Sequence, residues 1–316
     1  MSLRDEIGVP ADAELIEVNG ARLAVAREGN GPPVVCLHAI GHGGRDFEEF
    51  TAAVKNRFEV IRIDWPGQGR SQPDSQPPTA ARYAELLADV LDRLNVSAPI
   101  IVGNSIGGAA AIHYANVHRV RALVLCNSGG LLRVNRFATG ACNAFSAFFA
   151  QGARGAWWFP RLFCWYYRFM VLPSPAAAAQ RGRIIKAGYE IASVLRDAWK
   201  QFGTQASDIR DLAVSLSMPV LFAWAESDKI ISLSASMACI KRMKNARVVT
   251  FHAGHAAFLE RPREFIEEFV KFADTLPLSH DAQPDAVRNI VRRHASSSAS
   301  EAFNLQPSVR SVREPR

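Results

Sequence analysis

In the stretch APIIVGNSIGGAAAIHYANV, residues 98–117, a short apolar run ends at Gly103-Asn104-Ser105-Ile106-Gly107-Gly108 and passes into a helical pattern beginning near Ile106. A serine on so sharp a strand-to-helix turn needs small neighbours, because side chains two positions to either side would collide in the strained backbone. Gly103 and Gly107 meet that need. With glycine near ~7% of residues, G-x-S-x-G arises by chance in roughly one chain of this length in ten, so the flanking strand and helix carry the weight.

Outward from this turn the same alternation repeats. PVVCLHAI, FEVIRIDW, VRALVLCNS and MPVLFAWAES are continuous apolar runs of the kind that form parallel strands buried on both faces. Helical patterns separate them. Tyr83, Leu86, Leu87, Val90, Leu91 and Leu94 mark one face of a crossover helix, and Phe265, Ile266, Phe269, Phe272 and Leu276 mark one face of a closing helix. ARVVTFHAG reads as a last strand, and Asn19-Gly20 between AELIEV and ARLAVARE reads as the turn of a β-hairpin. The pattern predicts an α/β protein with a mostly parallel sheet flanked by helices.

A serine hydroxyl becomes a useful nucleophile only when a base takes its proton and an acid holds that base in the right tautomer. Asp228 follows the strand PVLFAWAES and His255 follows the strand ARVVTFHAG, which places both at strand ends on the edge that carries Ser105. The order serine, acid, histidine is that of a catalytic triad on such a sheet. Taken singly, Asp228 reads as a loop or helix-capping residue and His255 as a surface histidine. Their joint order and placement favour the triad. His113, His118 and His252 are weaker candidates for the base. Stabilising an oxyanion requires two donors; the backbone N–H groups of Ile106 and Ile40 are the candidates.

The net charge is +7, from 37 Lys and Arg against 30 Asp and Glu. Residues 129–215 hold 11 basic and 4 acidic residues, a local excess of +7, and residues 277–316 hold 6 and 4, or +2, leaving the remainder near −2. The basic character thus belongs to an internal segment rather than to a surface built for nucleic acid. That segment carries Trp157, Trp158, Phe159, Phe163, Trp165, Tyr166, Tyr167 and Trp199, lacks a clear strand, and reads as a helical insertion. The five cysteines form no C-x-x-C pair, the N-terminus has no apolar signal region, and 156–173 is too interrupted to span a membrane. A reduced, cytoplasmic setting without metal or organic cofactor is expected. The polar sequence from about 277 reads as a disordered tail.

These residues resemble the α/β-hydrolase family over about residues 13–276. Leu37-His38-Ala39 is similar to its L-H-G oxyanion loop, Asp64 to Ser71 to its D-x-P-G-x-G-x-S stretch, and Gly254-His255 with Glu260 and Pro262 to its terminal G-H-x-x-x-x-E-x-P pattern. The resemblance implies an eight-stranded sheet, a core of 13–128 and 216–276, and a cap at 129–215 over the site. It implies a serine hydrolase acting on an ester, lactone or thioester of a largely apolar small molecule. Ser105 argues against the aspartate-nucleophile dehalogenases and epoxide hydrolases. Carbon–carbon hydrolases and a non-catalytic binding member are the alternatives. Ala39 departs from the family's glycine, which places Ile40 in question. The aromatic and basic cap also admits peripheral membrane contact.

Overall fold

The computed structural model describes residues 2–277; the tail expected beyond 277 lies outside the described residues. Eight strands, β1 (Glu14–Val18), β2 (Ala21–Glu28), β3 (Pro33–Leu37), β4 (Glu59–Ile63), β5 (Ile100–Asn104), β6 (Ala122–Cys126), β7 (Val220–Ala225) and β8 (Ala246–Phe251), form one sheet in the order β1-β2-β4-β3-β5-β6-β7-β8. β1 pairs antiparallel with β2, and β2 antiparallel with β4; the remaining pairs are parallel. The hairpin turns at Asn19 and Gly20, which adopt φ values of 45° and 77°, the left-handed pair that a two-residue turn demands. Every residue of β5, β6 and β7 is buried, which is why those strands read as unbroken apolar runs.

The sheet is flanked by α1 (Glu48–Val54), α2 (Ala80–Arg93) and α3 (Ile106–Val117), by α9 (Leu233–Ile240), and by α10 (Ala257–Glu260) and α11 (Pro262–Asp274) near the end. Thr79 caps α2 by accepting from the Arg82 amide, and Tyr83, Leu86, Leu87, Val90 and Leu91 form its buried face. Burying each such side chain stabilises the fold by about 1.5–3 kcal/mol before ordering entropy is subtracted. Between β6 and β7 the described residues form no strand. They make α4 (Arg136–Ala153), α5 (Phe159–Tyr166), α6 (Ala178–Lys186), α7 (Gly188–Phe202) and α8 (Arg210–Ser215). An aromatic cluster holds these inserted helices together; the rings of Phe145 and Trp199 stack at 4.3 Å.

The strand order sets the position of the site. From β3 the chain crosses to β4 on one side and returns as β5 on the other, so the loops after β3 and β5 diverge at their C-terminal ends. Such a divergence leaves a crevice in open α/β sheets.

Candidate active site

Ser105 occupies the turn between β5 and α3 with φ 54° and ψ −116°, a conformation that L residues rarely adopt. Its amide donates to the Cys126 carbonyl at 3.0 Å, and its own carbonyl accepts from the Gly129 amide at 3.0 Å, so the end of β6 and the loop after it hold the strained turn. A Cβ on Gly107 would lie 2.3 Å from the Leu37 carbonyl oxygen, and one on Gly103 2.6 Å from the Gly107 oxygen. Gly107 therefore lets the elbow seat against β3, and Gly103 lets the first turn of α3 close onto β5.

His255 and Asp228 stand at the ends of β8 and β7. His255 Nδ1 is 2.9 Å from Asp228 Oδ2, and both side chains are buried. Asp228 is held by three further donors: Asn127 Nδ2 at 2.6 Å on Oδ2, and the Ile230 and Ile231 amides at 2.7 and 3.1 Å on Oδ1. Donors therefore surround the carboxylate, as its ionised form requires. Nδ1–H donated to Asp228 leaves the lone pair of His255 on Nε2. The His255 backbone is fixed from two sides, its carbonyl by Asn104 Nδ2 at 3.1 Å and its amide by Glu260 Oε1 at 3.2 Å and the Val171 carbonyl at 2.8 Å. Glu260 also accepts from Gly254 and Ser174, and burial raises its pKa.

Ser105, His255, Ile40 and Ile106 line one cavity of about 430 Å³, with Ala109, Phe145, Trp199 and Phe202 among its apolar walls. Its charged lining is cationic, Arg133 and Lys229, and among the described residues no carboxylate lines it. His113, His118 and His252 lie off this cavity; His252 pairs instead with Glu226 at 2.7 Å on the surface. The amides of Ile40 and Ile106 take no backbone partner among the described residues. Ala39 is not left-handed; the turn's positive φ falls on Gly41 at 76°, whose amide donates to Gln68 Oε1 at 2.6 Å. Alanine at 39 is thus accommodated without strain.

Several structural partners of the site either went unnamed in the sequence, as Asn127 and the His42–Asp46 pair did, or stood there only as motif letters, as His38 and Asp64 did. Asn127, at φ 44°, donates to Asp228 and accepts from the Ala225 amide at 3.0 Å, tying β6 to β7. His38 donates from Nδ1 to the Ala39 carbonyl at 2.7 Å and accepts at Nε2 from the Trp65 amide at 2.9 Å; burial lowers its pKa to about 4. Asp64 accepts from the amides of Val9, Gly44 and Arg70 at 3.1, 2.7 and 2.8 Å, joining the N-terminal segment, the loop after β3 and the loop after β4. His42, on the cavity wall, bonds through Nδ1 to Asp46.

The model of the alpha/beta hydrolase family matches residues 34–268. The chain belongs to this family. The hydrolase is 26% identical over 270 residues to a pimeloyl-[acyl-carrier protein] methyl ester esterase of Nitrosomonas europaea, covering 79% of this chain and 98% of that one. Est816, an N-acyl homoserine lactone degrading enzyme of solved structure, is 26% identical with a TM-score of 0.65, covering 82% of this hydrolase and all (100%) of that chain. The enol-lactonase from Burkholderia xenovorans superposes with a TM-score of 0.70 at 20% identity over 83% of this chain and 100% of its own, a likeness of fold. Among the described residues no helix is long and apolar enough to cross a membrane.

Proposed function

We propose that this hydrolase cleaves esters, lactones or thioesters of largely apolar acids through an acyl-enzyme on Ser105. His255 Nε2 takes the hydroxyl proton as Oγ attacks the carbonyl, and the same proton then passes to the departing alcohol or thiol. His255 then takes a proton from the water that attacks the acyl carbonyl and passes it to Ser105 Oγ as the acyl–oxygen bond breaks and the acid leaves. Asp228 holds the imidazole tautomer and stabilises the imidazolium formed in each half-reaction. The Ile40 and Ile106 amides receive the oxyanion.

The observation that carries this reading is the left-handed Ser105 opening onto the same cavity as a histidine whose Nδ1 is committed to a buried carboxylate. The esterase and lactone-degrading relatives favour carboxylic ester chemistry. The apolar walls favour an alkyl or aryl acyl part, and Arg133 with Lys229 favours a neutral or anionic end over a cationic one.

A fluorophosphonate probe and a panel of activated esters, lactones, thioesters and vinylogous diketones test the proposal together. Labelling and turnover should vanish in Ser105→Ala, with kcat/KM down by about 10⁴–10⁶-fold. Labelling that persists in the variant removes Ser105 as nucleophile; stoichiometric binding without turnover across the panel makes the chain a binding member of the fold.

A further inference from the structure

From 129 to 189 the chain contains eight basic residues, Arg133, Arg136, Arg154, Arg161, Arg168, Arg181, Arg183 and Lys186, and no aspartate or glutamate. Within it, α5 and the π-helical turn that continues it (Tyr167–Val171) have two unlike sides. Phe163, Tyr166 and Tyr167 are buried, and the two tyrosines line the cavity. Leu162, Trp165 and Phe169 stand out at 51%, 54% and 52% exposure, with Trp157 just before the helix at 81%. The Trp165 and Phe169 rings lie 5.7 Å apart, so they form one apolar ridge. Arg161 and Arg168 are exposed beside it and have no ion-pair partner among the described residues.

Large apolar side chains left in water next to unpaired guanidinium groups are costly unless something covers them. A segment that exposes tryptophan, phenylalanine and leucine beside arginine, and carries no carboxylate of its own, matches the boundary of an anionic bilayer: rings and alkyl chains enter the headgroup region while arginines meet phosphate oxygens. We infer that the Trp157–Phe169 ridge docks this hydrolase peripherally on anionic lipid surfaces. The docked helix is also a wall of the cavity, since Tyr166 and Tyr167 project from its other side. Apolar substrates dissolved in the bilayer would then meet the enzyme where they accumulate.

Co-sedimentation of the full chain with vesicles of phosphatidylcholine, with or without phosphatidylglycerol, tests this. Partitioning should be about tenfold or more stronger on vesicles containing phosphatidylglycerol and should weaken as salt is raised. Trp165→Ser/Phe169→Ser should reduce it about tenfold, and Arg161→Glu/Arg168→Glu should erase the preference for phosphatidylglycerol. All four side chains are exposed and off the cavity, so melting temperature and turnover of a water-soluble short-chain ester should match the parent in both variants; that control keeps a failed docking result separate from a failed hydrolase assignment. Absence of binding to either vesicle overturns the inference, as does binding that survives the Trp165/Phe169 exchange. A self-association seen by sedimentation velocity and abolished by that exchange would make the ridge a contact between copies instead.

Discussion

His42 Nδ1 lies 2.6 Å from Asp46 Oδ2, with both side chains almost wholly buried at 1% and 0% exposure, so one cavity borders two histidine–aspartate pairs. Asp46 Oδ1 also accepts from Gln180 Nε2 at 2.7 Å, which fastens the loop carrying Ile40 to α6 of the inserted segment. Asp46→Ala leaves the imidazole and the amide without their shared acceptor. A loss of about 2–5 kcal/mol in unfolding free energy is expected, measured by urea denaturation. Asp46→Asn should cost less, because its oxygen can keep Gln180 while its NH₂ turns to a His42 of the other tautomer. If the asparagine variant is the more damaged of the two, the pair is not the anchor described.

The corresponding exchange at Asp228 should act on rate. An amide there must present NH₂ to a ring of donors: His255, Asn127, or the amides of Ile230 and Ile231. Facing His255, it moves the proton to Nε2 and removes the lone pair that would receive the Ser105 proton. Asp228→Asn should lower kcat by about 10³–10⁴-fold with a much smaller change in KM. A loss seen mainly in KM would assign Asp228 to substrate binding.

Gly107→Ala and Gly140→Ala should have opposite signs. At Gly107 the new Cβ meets the backbone of β3 at 2.3 Å, which neither element can relieve, and a destabilisation of at least about 3 kcal/mol with loss of hydrolase activity is expected. At Gly140, inside α4, a Cβ meets nothing within 4 Å. Alanine there should raise stability by about 0.5–1 kcal/mol in thermal or urea unfolding. Equal effects at the two positions would contradict the packing of the elbow.

These contrasts mark what was readable along the chain. The strands were legible because a strand buried on both faces, such as β6 with Leu123, Val124 and Leu125, has no polar alternation to hide it. The positions of Ser105, Asp228 and His255 were legible because each follows its own strand, and parallel strands place their ends on one edge. The His42–Asp46 pair was not. It depends on a tight helical turn at Gly44–Phe47 and on Gln180, which follows Asp46 by 134 positions. Asn127 was hidden for a related reason: nothing local to Cys126-Asn127-Ser128 announces a left-handed residue whose partners lie on β7 and at Asp228. The N-terminal turn Leu3–Ile7 is too short for periodicity to reveal, yet Ile7 and Val9 are buried beneath the loop that Asp64 gathers.

Asp64 and His38 pull the pH dependence of stability in opposite directions. Burial raises the Asp64 pKa from 3.8 to about 6 against its amide donors, so between those values the folded state holds a proton that the unfolded state has released, and stability falls as pH rises. Burial lowers the His38 pKa from 6.5 to about 4, so across nearly the same window the unfolded state takes up a proton that the folded state refuses, and stability rises with pH. Each contribution is on the order of 3 kcal/mol, and together they nearly cancel. His38→Gln can still accept from the Trp65 amide but cannot ionise, which leaves the Asp64 contribution exposed. At pH 7 the variant should be less stable than the parent by about 1–2 kcal/mol. Near pH 4.5 the gap should close or reverse, moving by about 2–3 kcal/mol in the variant's favour in urea denaturation. A gap of the same size at both pH values would mean that His38 titrates alike in the folded and unfolded chains, contrary to its buried place between Ala39 and Trp65.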